Sequence, residues 1–377
     1  MKIKNILDFY NMPQNAGTSD ATYSIHTINF RVQLTKRDRI VIEEKLTALS
    51  KQYCARYFSK KGTKGYRSVT YLVAQAFGLN YVSIVKGTSK DDFCKLWMDV
   101  KVNPRWMFHG NSHPFAYIAS PNEVLRAYER IQEFLNAAKI VEIDYKMFMI
   151  QRMDYCVNID MGDSALVKAY MRLMKKGSYP HKMKRRMEYS ESGHRQIPTK
   201  DSFTVFSKTI EFAVYDKCAQ LEQEKEKYEE EDIKTAEGMI RIELRVKRSK
   251  IQYDARTNGC EDVRTQLEMA SEIANKNIPR YLKSAYGIGK FVKYEKAKRL
   301  IQESWYIKRT KEMLLDFLQE VSLKGLEGAK ESYEKDFNKC MKRFNELGIS
   351  PITIEKGSKV KEMENPLYYI EHRSKNW

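Results

Sequence analysis

Hydrophobic and polar residues alternate along several segments, which predicts strands because successive strand side chains point to opposite faces of a sheet. The predicted strands occupy residues 23–32, 65–87, 114–119, 146–163, 201–217 and 238–251. Together with the helical patterns between them, these strands predict an α+β fold with an antiparallel sheet. We therefore expect a sheet with one face against helices and the other face polar.

Helical patterns and their capping signals separate these strands. Thr35 and Asp38 form the capping-box spacing that opens a helix through about Tyr57. Ser120 and Pro121 predict the N-terminus of a second helix. Further helices are predicted over residues 164–176, over the charged segment 222–234 and over long stretches between 263 and 348.

The resulting fold class is α+β, with an antiparallel sheet and flanking helices followed by a mostly helical C-terminal domain. We divide the chain into a leader at 1–20, a sheet-containing domain at 21–262 and a helical domain at 263–377. In the last of these, hydrophobic residues at helical spacing predict core packing. They are Trp305, Leu314, Leu315, Phe317 and Leu318.

The charge balance of the 377 residues indicates a polyanionic partner. There are 67 Lys and Arg against 49 Asp and Glu, a net charge of +18, and the isoelectric point is about 9.4. Neutralising phosphates releases counterions, so nucleic acid is the first partner class and an anionic membrane surface the second. Six scattered cysteines predict free thiols in a reducing compartment. Without a targeting or membrane-spanning pattern, we expect a cytoplasmic protein with no membrane association.

Three predicted strands carry chemically useful residues on their polar faces. Arg152 and Asp154 share one face, Tyr215 and Lys217 share another, and Arg241, Glu243 and Arg245 share a third. Each face taken alone suits an ordinary solvated strand surface. Brought together, the carboxylates could hold Mg²⁺ or Mn²⁺, which polarises a phosphate. Tyrosine, with a pKa of about 10, would need such a cation to act as a nucleophile.

The order R-x-D, Y-x-K, R-x-E resembles that of rolling-circle replication initiators, namely those of filamentous phages and the related Gram-positive plasmid Rep (Rep_trans-like) family. The motifs here are "RMD" at 152–154, "YDK" at 215–217 and "RIE" at 241–243, with "YIASPNEVL" upstream. The resemblance covers about residues 115–255. It implies a Rep nuclease-like fold in which Tyr215 is the nicking nucleophile and Lys217 its partner. Asp154 and Glu243 would serve the metal, flanked by Arg152 and Arg241.

The match to this family has one departure, because no His-hydrophobe-His strand supplies metal ligands here. His109 and His113 fall in a predicted loop and are expected to be surface or structural residues. The third ligand stays open, with Asp160 and Glu211 as candidates by facing alone. Arg245 and the basic cluster of Lys182, Lys184, Arg185 and Arg186 are the expected DNA contacts.

The expected function is initiation of rolling-circle DNA replication. The protein would act as a metal-dependent endonuclease that nicks one DNA strand at an origin. A 5′-phosphotyrosine intermediate would link the protein covalently to the DNA until the strand is rejoined. The alternatives are a relaxase of a conjugative element with the same chemistry and a non-catalytic DNA-binding regulator. No helicase signature is present, so strand separation would need supercoiling or another protein, with a host helicase as the candidate. The sequence leaves open a homodimer and a phage, plasmid or transposon source in a bacterial host.

Overall fold

The computed structural model describes residues 24–53, 58–62, 65–69, 71–86, 95–103, 107, 121–180, 182–189, 196–197, 201–260 and 262–373. They form two compact units. The first contains the described residues up to Cys156 together with Arg245–Ile273. The second contains Val157–Leu244 together with the described residues from Ala274 onward. The predicted leader, the strand at 114–119, Ser120, His109 and His113 lie outside the described residues.

The strands, in chain order, are β1 (Ser24–Leu34), β2 (Phe58–Gly62), β3 (Gly65–Val69), β4 (Tyr81–Lys86), β5 (Leu96–Val102), β6 (Met149–Asp160), β7 (Lys184–Arg185), β8 (Glu188–Tyr189), β9 (Gln196–Ile197), β10 (Ser202–Phe206), β11 (Ile210–Asp216), β12 (Met239–Lys247), β13 (Lys290–Lys293), β14 (Ile349–Ile354) and β15 (Glu362–Met363). The helices are α1 (Lys36–Gln52), α2 (Tyr71–Gln75), α3 (Pro121–Ala137), α4 (Ser164–Met174), α5 (Lys217–Gln223), α6 (Glu230–Thr235), α7 (Arg248–Thr257), α8 (Val263–Glu268), α9 (Ala270–Tyr286), α10 (Tyr294–Glu303), α11 (Lys308–Tyr333), α12 (Phe337–Glu346) and α13 (Pro366–Arg373).

The first unit contains an antiparallel sheet in the order β2-β3-β4-β5-β1-β6. β5 alternates strictly between buried and half-buried residues, as the sequence pattern predicts for a sheet with one covered face. The capping box at the start of α1 is confirmed, since Thr35 and Asp38 bond reciprocally to each other's backbone N–H. The core of this unit includes Phe30, Ile42 and Phe134, all fully buried.

A β-bulge interrupts the pairing of β1 with β6. Ile25 lies opposite Tyr155, but Thr27 lies opposite Asp154, so two steps on β1 match one step on β6. His26 is therefore the extra residue of the bulge. Such bulges redirect side chains and are frequent beside active sites.

The second unit contains strands in the order β6-β12-β11-β10-β7, and also the small sheet β14-β13-β15. β10 and β11 form an antiparallel hairpin from Ser202↔Tyr215 to Phe206↔Glu211. The mostly helical character of the chain after residue 263 is confirmed, with the small sheet as an addition that the sequence pattern did not predict. The functional boundaries at 20 and 262 stay predictions, because compactness alone does not locate an activity.

The segment after α4 is fixed to the C-terminal helices within the second unit. Gly325 adopts φ of 73° inside α11 and breaks its helical hydrogen bonding. The next amide, on Leu326, donates to the carbonyl of Lys176 at 2.7 Å. Ser178 N–H donates to Ala285 O at 3.0 Å, and Tyr179 N–H donates to Glu327 Oε2 at 2.5 Å.

Several predicted elements differ from the structure. The helix predicted over 222–234 is divided into α5, a short 3₁₀ turn and α6. The strand predicted over 238–251 ends at Lys247, where α7 begins. Trp305, predicted to pack in the core, is 73% exposed because it lies in the turn between α10 and α11. Leu314, Phe317 and Leu318 are fully buried, as predicted.

Within the described part of the chain, no helix is both long and apolar enough to cross a membrane. Cys156, Cys218 and Cys340 are free thiols, as expected from their spacing. Burial, together with the smaller effect of neighbouring carboxylates, raises the pKa of the Cys218 thiol to about 11. The Cys218 thiol therefore stays protonated at neutral pH.

Candidate active site

The polar faces of β6 and β12 are buried rather than solvated. On β12 every residue from Met239 to Leu244 is buried, including Arg241 and Glu243, which are 1% and 2% exposed. On β6, Asp154 and Asn158 are likewise buried, at 2% and 0% exposure. Charged side chains are costly to bury unless they are paired. The polar residues of these two strands must therefore have partners.

Tyr215 and Glu243 are brought into direct contact within the second unit. The Tyr215 hydroxyl donates to Glu243 Oε1 at 2.5 Å. Tyr215 is half-buried near the end of β11, opposite Ser202 of β10, while Glu243 is buried on β12. A short hydrogen bond from a neutral hydroxyl to a carboxylate is strong and gives the phenolic proton a direct acceptor. The sequence placed these two residues in separate motifs, and the structure brings them together.

Lys217 does not share a strand face with Tyr215, so that prediction is wrong. β11 ends at Asp216, whose side chain accepts from Ala219 N–H at 3.1 Å and caps α5. Lys217 is therefore the first residue of a helix, and strand alternation no longer decides its direction. It is 3% exposed, and its Nζ donates to Gln220 Oε1 at 2.6 Å.

Asp216 is a buried carboxylate next to Tyr215 that the sequence motifs do not include. It lies between Tyr215 and Lys217 and is 7% exposed. Burial raises the pKa of its carboxyl group, and the nearby Asp201 raises it further. The adjacent cavity, of about 410 Å³, is lined by both acidic and basic residues, among them Lys168, Asp201, Asp216, Glu222, Lys234 and Glu237. The signal available in the sequence was its helix-capping position before "CAQLEQ".

Arg152 and Asp154 form a bidentate pair within the first unit. Arg152 Nε and Nη2 donate to Asp154 Oδ1 and Oδ2, each at 2.6 Å. The Asp154 side chain is 3% exposed and that of Arg152 is 37% exposed. The predicted shared face of these i and i+2 residues is thus observed. The pair holds the carboxylate plane in one orientation.

The remaining predicted arginines differ in exposure. Arg241 is almost fully buried, and its Nε donates to Asn158 Oδ1 at 2.7 Å. Asn158 Nδ2 has no hydrogen-bond partner among the described residues. Arg245, farther along the same strand, is half-buried. Arg241 is therefore placed to support the strand interior, and direct contact with DNA there would need the buried face to open.

The basic cluster lies at the edge strand β7 and the residues beside it. Lys182, Lys184 and Arg186 are exposed, and Arg185 is half-buried. Arg186 contacts Glu211 at 3.3 Å and stacks over the Phe206 ring at 5.4 Å. Glu211, a candidate third metal ligand, is thus ion-paired.

The donors expected for a metal are carboxylates, which suit Mg²⁺ and Mn²⁺. Asp154 belongs to the first unit and Glu243 to the second. The described residues contain no group of three or more His, Cys, Asp and Glu side chains that could hold a metal. Asp160, the other candidate third ligand, accepts from Gly162 N–H at 2.8 Å at the end of β6.

Comparisons with known proteins add little to this geometry. No protein-family model matches the chain, and no curated protein matches it. A solved structure of a rolling circle replication initiator protein from Geobacillus stearothermophilus aligns with 77% of this chain and 90% of its own. The sequence identity is 12% and the TM-score is 0.29. A TM-score this low carries no argument, so the function rests on the residues themselves.

Proposed function

We propose that this protein is a DNA-nicking replication initiator that uses Tyr215 as its nucleophile. The observation that carries the proposal is the 2.5 Å hydrogen bond from the Tyr215 hydroxyl to the buried Glu243 carboxylate. It joins the tyrosine of the Y-x-K motif to the acid of the R-x-E motif. The net charge of +18 supports a nucleic-acid substrate.

In the proposed reaction, the Tyr215 oxygen attacks a DNA phosphorus atom and the bond from phosphorus to the 3′ oxygen breaks. The phenolic proton passes to Glu243, which already accepts it in a hydrogen bond. The products are a 5′-phosphotyrosine link and a free 3′-OH that primes synthesis. The reverse attack by a 3′-OH releases Tyr215 and rejoins the strand, so the bond energy is conserved without ATP.

Lys217 is the group proposed to protonate the leaving 3′ oxygen or to favour the phenolate. Its place at the first turn of α5, two residues after Tyr215, keeps it near the nucleophile in the chain. Its Nζ donates to Gln220, so it would have to change partners to reach the leaving oxygen. The proposed role therefore requires the Lys217 side chain to rotate away from Gln220.

A divalent cation, Mg²⁺ or Mn²⁺, would polarise a non-bridging phosphate oxygen when bound. The sequence motifs assign Asp154 and Glu243 to such a cation. The two N–H groups of Arg152 orient Asp154 for such binding. The exposed cations Lys182, Lys184 and Arg186 would contact the DNA backbone.

The direct test is capture of the covalent intermediate. Purified full-length protein is incubated with Mn²⁺ or Mg²⁺ and labelled, randomised single-stranded oligonucleotides, and adducts are resolved by denaturing electrophoresis. We expect wild type to form an adduct and Tyr215→Phe to form none, because the substitution removes only the attacking oxygen. Sequencing the captured strands then identifies the preferred nick site.

Tyr253→Phe is the matched control, since Tyr253 is 58% exposed on α7 and loses the same single oxygen. It should form adduct like wild type. Adduct formation by Tyr215→Phe would show that another residue is the nucleophile. DNA binding without any adduct in wild type would instead favour a non-catalytic DNA-binding regulator.

A relaxase of a conjugative element would give the same adduct. The two enzymes differ in the DNA they select, so the recovered nick sequence and its genomic position separate them. A site in a replication origin supports the initiator.

A further inference from the structure

A tryptophan is exposed on a turn between two helices of the second compact unit. Trp305 lies between α10 and α11 and is 73% exposed, and Ile307, two residues later, is 72% exposed. Tryptophan is mostly buried in folded proteins and is enriched where proteins bind partners. Two large apolar side chains left open on one turn therefore indicate an interaction surface.

Tyr306, between the two exposed residues, fixes this turn. It is 8% exposed, its hydroxyl donates to Glu346 Oε2 at 2.6 Å, and the Arg343 guanidinium lies 5.0 Å from the centre of its ring. These contacts hold the backbone between Trp305 and Ile307 against α12. The two apolar side chains are thus presented to solvent by an anchored turn.

Positive charge surrounds the exposed pair. Residues 293–311 contain seven Lys and Arg and two Glu. Lys311 Nζ donates to the carbonyl of Gln302 at 2.7 Å, so the first turn of α11 lies beside the last turn of α10. Four exposed cations of these two helices form no ion pair with another described residue: Lys298, Arg299, Lys308 and Arg309. These four cations, with Trp305 and Ile307, are called the Trp305 surface.

We propose that the Trp305 surface binds single-stranded DNA. A tryptophan ring can stack on any unpaired base, whereas the bases of a duplex are already stacked on one another. Cations beside the ring contact the phosphate backbone without reading its sequence. Ile307 extends the apolar area on which a base can rest. The combination of a stacking ring and unpaired cations is what binding of a single strand requires.

This surface is separate from the DNA contacts of the proposed function, which lie at β7. The inference rests on that function for its biological role, because nicking releases a single strand, but binding can be measured without any cleavage. An anionic membrane also attracts cations beside a tryptophan. The experiment therefore compares single-stranded DNA with lipid vesicles.

The first measurement locates the bound base. Full-length protein, without divalent cation, is irradiated with an oligothymidine that carries 5-iododeoxyuridine, a base that photocrosslinks to stacked aromatic side chains. Mass spectrometry of the digested protein identifies the crosslinked residue. We expect a crosslink at Trp305 in wild type and none at this position in Trp305→Ala.

The second measurement separates stacking from charge. Fluorescence anisotropy of a labelled oligothymidine gives Kd over a range of salt concentrations. Trp305→Ala should weaken binding roughly fivefold to a hundredfold without changing the salt dependence, because it removes stacking and no charge. The double variant Lys308→Gln with Arg309→Gln should instead lower the slope of log K against log salt by about 1.4.

Two controls in the same unit match these changes. Leu323→Ala removes an apolar side chain that is 74% exposed on α11. Lys335→Gln with Lys356→Gln removes two exposed cations outside the Trp305 surface. Both controls should keep the affinity, the salt dependence and the crosslink of wild type. Trp305→Leu keeps an apolar side chain without an aromatic ring, and it decides the result where Trp305→Ala does not unfold cooperatively in a thermal melt.

Wild-type affinity in a folded Trp305 variant, or the absence of a crosslink at Trp305 in wild type, overturns the proposal. Sedimentation with vesicles of phosphatidylcholine and phosphatidylserine supplies the other decisive outcome. Trp305-dependent binding to these vesicles, without binding to oligothymidine, assigns the surface to a membrane instead.

The failure of this inference is distinguishable from failure of the proposed function. A Trp305 crosslink in a protein that never forms a DNA adduct supports the surface and contradicts the nicking activity. A normal adduct in a protein without a Trp305 crosslink supports nicking and contradicts the surface.

Discussion

β5 and β12 have the same alternating sequence pattern, but β5 leaves its polar residues partly exposed and β12 buries most of them. β5 buries one face and leaves Trp97, Asp99 and Lys101 half-exposed. β12 buries both faces from Met239 to Leu244, including Arg241 and Glu243. The charged residues of β5 make ordinary cross-strand pairs, such as Arg31 with Asp99 at 2.5 Å.

The difference separates a solvated strand face from a candidate site. An ion pair with side chains 29% and 19% exposed, like Arg31–Asp99, contributes only about 0.2–1 kcal/mol. Burying Arg241 and Glu243 demands compensation from specific partners, here Asn158 and Tyr215. Buried charges in the middle of a sheet add little net stability, which supports the chemical role proposed for them.

The largest effect that tests this contrast is expected for Glu243→Gln. The amide keeps the size and the acceptor oxygen for the Tyr215 hydroxyl but no longer takes up its proton. We expect adduct formation to slow by about a hundredfold or more, with little change in the thermal midpoint. Single-turnover adduct kinetics measure the rate, and Asp99→Asn on β5 is the matched control.

Asp99→Asn should leave the adduct rate unchanged and alter stability by at most about 1 kcal/mol. Equal rates for Glu243→Gln and wild type would remove Glu243 as the proton acceptor.

A second, smaller effect concerns stability rather than rate. Arg241→Met preserves much of the side-chain volume but leaves Asn158 buried without its guanidinium donor. We expect a loss of about 2–3 kcal/mol in the free energy of unfolding, measured by urea denaturation. Arg31→Met on β1 should lose about 1 kcal/mol or less, since the Arg31–Asp99 pair is partly solvated. Equal losses in the two variants would show that burial does not distinguish these strands.

The smallest effect concerns Asp216, whose pKa is raised by burial. The folded protein holds this proton more tightly than the unfolded chain, so the contribution to stability is complete below the ordinary pKa of about 4. It is lost as the pH rises through the higher folded-state pKa. Asp216→Asn keeps a good helix cap and removes this loss, so we expect its thermal midpoint at pH 7 to rise by roughly 2 °C or less.

The advantage of Asp216→Asn should disappear at pH 3, where the wild-type carboxyl is protonated. Differential scanning calorimetry at both pH values makes the comparison. A gain in stability at pH 3 equal to that at pH 7 would exclude the titration of Asp216 as its cause.

Local signals in the sequence predicted the elements whose causes are themselves local. The Thr35–Asp38 capping box begins α1 as predicted, and the alternation around residue 154 predicted β6. The face shared by Arg152 and Asp154 follows from strand geometry alone. The bond from Tyr215 to Glu243 joins residues 28 positions apart, and only strand order makes them neighbours.

The errors arise where a neighbouring element changes the local geometry. The alternating pattern assigns Lys217 to a strand face, but Asp216 caps a helix that begins at Lys217. Trp305 has helical spacing with Leu314 but lies in a turn, where it is exposed. The bulge at His26 has no sequence signature, because it is defined by pairing with a strand more than 100 residues away.

Two backbone hydrogen bonds join the segment after α4 to the C-terminal helices, since Leu326 N–H donates to Lys176 O and Ser178 N–H donates to Ala285 O. That segment leads directly to Lys182, Lys184 and Arg186, the exposed cations of β7 and its neighbours. Its backbone at Lys176, Ser178 and Tyr179 is held by the C-terminal helices. The C-terminal helices are thus part of the support for this basic segment. Domain exchange in evolution, or truncation of the chain at residue 262, would remove these helices and would have to replace the support that they give to the basic segment.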